Sequence, residues 1–192
     1  MEKPFKHISF DLDGTLINSF EVMELAWNEC VKQFGLNIGF SKYRRLVGLP
    51  FPIIMKILKL EDLCDELSAL YFSKTYEFRS KISLVDGAVD ILENLRNQNL
   101  TTSIVTSKPR EGTLNLIDMF NLNADLVIAG DDLKFGKPFT DAGIKICDTF
   151  DVLPKKVLYV DHDSLRSYSE LLNYIYSNEK SIIHVLREVC TY

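Results

Sequence analysis

One stretch near the start of the chain limits what the rest can fold into: Ile8-Ser9-Phe10-Asp11-Leu12-Asp13-Gly14-Thr15-Leu16. Ile8 and Phe10, with the residues before them, suit a short buried strand over residues 5 to 11. Gly14 then lets the backbone turn sharply. Asp11 and Asp13 are two apart, a spacing that puts both side chains on one face of a strand. Two carboxylates forced into one cleft repel, so they need a cation or a shared proton. Such an arrangement builds a site rather than a core. A bare Asp-x-Asp would be an ordinary turn, but a buried strand followed by Asp-x-Asp-Gly-Thr and an apolar residue is far more specific.

A carboxylate pair of this kind suits nucleophilic catalysis, one acid attacking and its neighbour acting as general acid and base. Aspartyl-phosphate formation is a known use. Attack of an anion on an anionic phosphoryl group needs a metal and fixed donors, and oxygen ligands beside phosphate favour magnesium.

At these residues the chain resembles the haloacid-dehalogenase-like hydrolase superfamily, most closely its phosphoglycolate-phosphatase and beta-phosphoglucomutase branch. The resemblance implies that Asp11 is the nucleophile and Asp13 the general acid and base. It also implies that Asp11 and the backbone carbonyl of Asp13 hold Mg2+, with Gly14 and Thr15 lining the phosphoryl site. An Asp at 13 separates the chain from the dehalogenase and phosphonatase branches. The resemblance fades after about residue 165.

Further along, residues 17–83 read as helical throughout, with no good strand. Ser19 is placed as the N-cap of a helix carrying Val22, Ala26, Cys30 and Phe34 at four-residue spacing, widened by Met23 and Trp27 and stopped by Gly35. A short segment over 41–47, the loop Gly48-Leu49-Pro50-Phe51-Pro52 and helices over 53–60 and 61–80 follow. This block interrupts an alternating strand and helix pattern, so it reads as an insertion. By resemblance it is a cap that closes over the site and excludes water. Of the adjacent Arg44 and Arg45, a solvated face is expected for at least one; Arg45 and Gly48 are carried as substrate-contact candidates. Phe51, Tyr71, Phe72, Tyr76 and Phe78 are expected to pack the helices together and against the core.

From Leu84 the alternation resumes. A helix from Asp86-Gly87 points Val89, Leu92 and Leu95 inward, and a strand over 102–105 ends in Thr106-Ser107-Lys108-Pro109. A hydroxyl at a strand end can donate to a phosphate oxygen. The segment resembles the family's second motif, in which Thr106 binds the phosphoryl group, with Ser107 and Lys108 as substrate contacts. A helix over 111–120 is expected to bury Leu114, Ile117 and Phe120, followed by a strand over 126–129. The loop Gly136-Lys137-Pro138 resembles the third motif; Lys137 would neutralise nucleophile and phosphoryl charge, while Lys134 stays at the surface.

A helix over 139–150 and a strand over 156–160 lead to Asp161-His162-Asp163-Ser164, where acids at a strand end could complete a magnesium shell. Either Asp161 or Asp163 is the ligand, with Asp163 slightly favoured. The segment departs from the family, since Ser167 stands where a later acid belongs and an Ala-Gly element is absent. His162 is a poor magnesium ligand. The tail carries a helix (Leu171, Leu172, Ile175) and a strand over 182–186. His7 and His184, within apolar strands, read as structural.

The expected fold is therefore α/β: a doubly wound, mainly parallel sheet, with residues 1–16 and 84–192 as core and 17–83 as helical cap. The expected function is Mg2+-dependent hydrolysis of a small phosphomonoester. A sugar-phosphate mutase using the same site, or a non-catalytic phosphate-binding or regulatory protein, are the alternatives. A net charge of -5 argues against nucleic acid, and no apolar run is long enough for a membrane. With no signal-peptide core, and with scattered Cys30, Cys64, Cys147 and Cys190 reading as buried free thiols, a cytoplasmic protein is expected. It would act on a small phosphorylated metabolite as a monomer or homodimer.

Overall fold

The computed structural model of the chain describes residues 4–134, 137 and 140–161. Strand β1 (His7–Phe10) is buried at every position, so it must lie inside a sheet covered on both faces. It pairs in parallel with β4 (Thr101–Val105) on one side and β6 (Val157–Val160) on the other, and β5 (Leu126–Ile128) extends the β4 side. The order is β5-β4-β1-β6. The chain steps outward from β1 through β4 to β5, then returns to the far side of β1. The strand order thus reverses at β1, and crevices at such reversals, outside the strands' carboxyl ends, are where open α/β sheets hold ligands.

Helices cover the faces. α5 (Ala88–Asn97) precedes β4, α6 (Arg110–Phe120) follows it, and α7 (Asp141–Phe150) precedes β6. Ile8, Phe10, Ile104 and Leu158 join Ile91, Leu92, Leu95 and Leu116 in the main core. On the opposite face Val105, Ile128 and Ile146 form a smaller cluster. There His7 lies under the Phe150 ring, 4.7 Å between centroids, and its two ring nitrogens each sit 2.8 Å from a hydroxyl, Thr101 Oγ1 and Ser103 Oγ. His7 is structural, as its apolar strand suggested. Burial lowers its pKa to about 4, partly offset by Asp125.

Between β1 and α5 comes the helical block: α1 (Phe20–Phe34), α2 (Phe40–Arg44), α3 (Phe51–Ile57) and α4 (Cys64–Glu77). Its own core is aromatic, with Trp27 stacked on Tyr43 at 4.4 Å and Tyr43, Phe51, Tyr71 and Phe72 in mutual contact. Gly35 closes α1 in the left-handed conformation. Residues 17–83 are not all helical, however. β2 (Ile17–Asn18) and β3 (Ser83–Leu84) pair antiparallel where the chain enters and leaves the block. Two-residue strands carry no periodicity to read.

Other expectations also shift. Leu114 is exposed, because Thr113 and Leu116 take the inward stripe of α6 and Thr113 Oγ1 donates to the Pro109 carbonyl at 2.9 Å. Tyr76 is exposed, with the Arg79 guanidinium 3.9 Å from its ring centroid, whereas Phe78 packs against the sheet core as expected. The thiols of Cys30, Cys64 and Cys147 are free, but only Cys30 is buried. Among the described residues no helix is long and apolar enough to cross a membrane. The tail helix and strand, His162, Asp163, Ser167, His184 and Cys190 lie outside the described residues.

Candidate active site

The carboxyl end of β1 carries the site. The Asp11 amide donates to the Val160 carbonyl at 2.8 Å, which fixes the backbone as the strand ends. The chain then folds on itself: the amides of Leu16 and Ile17 both donate to the Leu12 carbonyl, and the Gly14 amide donates to the Ile17 carbonyl at 2.7 Å. Gly14 sits at φ 82, which glycine reaches without cost. Thr15, in the same turn, is buried. The turn brings Asp11 and Asp13 to one place, both nearly enclosed.

Each carboxylate has its own cation. Lys137 Nζ lies 2.6 Å from Asp11 Oδ1 and 5.1 Å from the centroid of the Tyr159 ring. Lys108 Nζ lies 3.4 Å from Asp13 Oδ1. Asp13 Oδ1 also accepts from Ser19 Oγ at 2.6 Å. Ser19 is indeed the residue before α1, but its hydroxyl caps nothing in the helix; it is spent on Asp13. A hydroxyl eight residues after the first acid was the available signal, read as a cap because Ser at a helix start usually is one. Tyr159 gave no signal, being one more aromatic in a strand.

Crowding shows in the electrostatics. Burial pushes the Asp11 carboxyl up to about 6; Lys137 pulls it down, and the charges of Asp161 and Asp13 add to the upward push. Burial raises the Tyr159 phenol well above its ordinary value, and Asp11 and Asp161 raise it further. Asp161, at the end of β6, therefore lies within electrostatic reach of Asp11. The block is also in range: burial holds the phenols of Tyr43 and Tyr71 well up, with Asp13 adding to both.

The end of β4 completes the cluster. Thr106 is buried, and its Oγ1 accepts from the Lys108 amide at 3.2 Å, which leaves the hydroxyl proton to donate elsewhere. Ser107 is committed differently: its Oγ donates to the Gly48 carbonyl at 2.6 Å. Gly48 thus reaches the site, though through its backbone. Arg44 lays its guanidinium 4.6 Å from the Phe20 ring centroid, and Arg45 is exposed at the end of α2. Lys134 is exposed.

For a metal, the donor chemistry fits magnesium. Asp11 and Asp161 supply hard oxygens whose mutual repulsion a cation would relieve, and the Asp13 carbonyl can add a third. Among the described residues no three acidic, His or Cys side chains form a cage. A site of two carboxylates, one backbone carbonyl and waters needs none, and magnesium keeps several waters.

A parallel, doubly wound sheet thus gathers paired acids and two lysines beyond the carboxyl ends of its strands, in the crevice where open α/β sheets hold ligands. The chain belongs to the haloacid dehalogenase-like hydrolase family, whose model it matches over residues 8–167. It is 29% identical over 164 residues to validoxylamine A 7'-phosphate phosphatase of Streptomyces hygroscopicus subsp. limoneus, covering 80% of this chain and 75% of that protein. It is 29% identical over 162 residues to phosphoglycolate phosphatase of Aquifex aeolicus, covering 80% and 74%. Among solved structures it resembles a hydrolase from Pseudomonas syringae, with TM-score 0.74, 24% identity and coverage of 80% and 74%. It also resembles beta-phosphoglucomutase from Clostridium difficile, with TM-score 0.69, 14% identity and coverage of 81% and 75%.

Proposed function

We infer that the chain is a magnesium-dependent phosphatase acting on a small phosphomonoester through an aspartyl-phosphate. The observation that carries this is the pairing of a buried Asp11 with Lys137 at 2.6 Å, beside an Asp13 held separately by Ser19 and Lys108. Relatives named as phosphatases support it. Asp11 attacks phosphorus, and the bond to the leaving oxygen breaks as Asp13 protonates that oxygen. Asp13 then takes a proton from water, which attacks the phosphoryl group and frees Asp11. Thr106 donates to a phosphoryl oxygen, and Lys137 offsets charge on Asp11 and the phosphoryl group together. Bound magnesium would screen the repulsion between carboxylate and phosphate, held by Asp11, Asp161 and the Asp13 carbonyl. In the same reading residues 17–83 are a cap that shields the aspartyl-phosphate from bulk water.

The test is phosphate release from a panel of small phosphomonoesters, with and without Mg2+. Metal-dependent release that vanishes in Asp11→Asn is expected. A folded protein that releases phosphate from none of them, with magnesium saturating, overturns the reading.

A further inference from the structure

The turn Thr106-Ser107-Lys108 reaches into the helical block through a hydrogen bond that Ser107 Oγ donates to the Gly48 carbonyl at 2.6 Å. Both ends of this bond are held in place. Gly48 sits at φ +106, left-handed backbone that a side chain rarely adopts, although a Cβ there would meet open space. Conformation alone therefore calls for glycine, and conformation is what aims its carbonyl. The amides of Leu46, Val47 and Leu49 are bonded back to Tyr43, Arg44 and Leu46, so the loop is a folded unit.

On the other side, the Ser107 turn is braced from behind. The Gly130 amide donates to the Lys108 carbonyl at 2.8 Å, and a Cβ on Gly130 would collide with the Ser107 carbonyl, whose carbon would be 2.8 Å away. Asp131 accepts from the Arg110 amide at 2.8 Å and Asp132 pairs with the Arg110 guanidinium, tying the β5 loop to the start of α6. The turn cannot drift back from the block, so its position is set where the Gly48 loop meets it.

The contacts close a circuit. Asp13 holds Ser19, which opens α1; Trp27 of α1 stacks on Tyr43 of α2; α2 leads to Gly48; Gly48 holds Ser107; and Lys108, the next residue, returns to Asp13. We propose that Ser107 is a positioning residue, whose hydroxyl latches the Gly48 loop of the helical block onto the Thr106–Lys108 turn. Substrate then meets a loop already set against the phosphoryl site. The hydroxyl expected from sequence to touch substrate acts instead through the loop.

Two readouts test this on the full-length protein, comparing wild type, Ser107→Ala and Ser107→Thr. The first is amide hydrogen exchange without ligand, and it does not depend on any activity. Exchange at Leu46, Val47 and Leu49 should quicken about fivefold in Ser107→Ala, the equilibrium factor of one ordinary hydrogen bond. Ser107→Thr, which keeps the hydroxyl, should restore it, and exchange in β1 and β4 should not change. The second rests on the phosphatase reading: KM for p-nitrophenyl phosphate should rise severalfold in Ser107→Ala, by more than any change in kcat. A Ser107 that merely binds substrate would raise KM and leave exchange of the free protein alone, which overturns the latch. Quickened exchange with an unmoved KM in an active enzyme overturns the positioning role. Quickened exchange restored by threonine, in a protein that hydrolyses nothing, leaves the latch standing and removes the phosphatase.

Discussion

The two ends of the sheet handle buried polarity in opposite ways. At the amino end, His7 is enclosed, neutral and bonded on both ring nitrogens, to Thr101 and Ser103. At the carboxyl end, Asp11 is as enclosed, yet it is crowded by Asp13 and Asp161 and relieved by a single lysine. The same strand, β1, carries one end into the other within five residues. Polarity that only has to be stable is neutral and satisfied. The polarity at Asp11 is left short of counter-charge, and the fold carries that cost.

The largest expected effect breaks the comparison at its reactive end. Asp11→Asn should abolish phosphate release, on the order of a millionfold for loss of a nucleophile, while raising the melting temperature of the metal-free protein at pH 8. A carboxyl whose folded pKa is raised to about 6 binds its proton more tightly folded than unfolded. Stability from this group is therefore lost as pH rises from about 3.8 to 6 and the ionised carboxyl is a constant cost above 6, so removing the charge stabilises at pH 8. A fall in melting temperature in calorimetry would show that Asp11 is fully compensated and the two ends are alike.

Next in size is Gly130→Ala. A backbone collision behind Ser107 cannot be relieved by turning a side chain, so a loss of about 2–3 kcal/mol is expected in urea unfolding. No loss would mean that the turn is not braced.

The satisfied end is tested by pH. His7 titrates near 4 when folded and near 6.5 when unfolded, so the unfolded chain binds the extra proton between those values. Stability is complete above about pH 6.5 and falls as pH drops, by about 2 kcal/mol at pH 5 from this group alone. Denaturation curves at pH 7.5 and 5 for wild type and His7→Gln should differ by that amount. A histidine that costs nothing on acidification would give parallel losses.

The smallest effect is the control. Lys81 Nζ meets Glu21 Oε1 at 2.6 Å, but both side chains are half or more exposed. Lys81→Ala should cost no more than about 0.5 kcal/mol. A larger loss would mean that short distance alone, rather than burial, sets the worth of charge here.

Much of this was legible in the chain. Asp-x-Asp-Gly after an apolar strand placed Asp11 and Asp13 together because the strand period and one glycine turn are local facts. α1 was readable from Val22, Ala26 and Cys30 because a helix face repeats. What escaped was long-range or too short to repeat. Ser107 meeting Gly48 joins residues 59 apart, and no period links them. Ser19 was placed correctly and given the wrong partner, since a cap and a carboxylate bid for the same hydroxyl. Leu114 was misjudged because Thr113, polar in composition, satisfies itself on the Pro109 carbonyl and can be buried.

The ribbon of β2 and β3 has a consequence for how such a chain can change over time. Entry and exit of the helical block are paired partners, Ile17 with Leu84 and Asn18 with Ser83, so the two crossing points lie about 5 Å apart. A segment with abutting ends is exchangeable. Any unit that presents its two termini side by side could be spliced there without moving β1, α5 or β4. The sheet could thus keep one reaction centre while its cover is replaced wholesale, and new substrates could be reached by grafting rather than by point substitution.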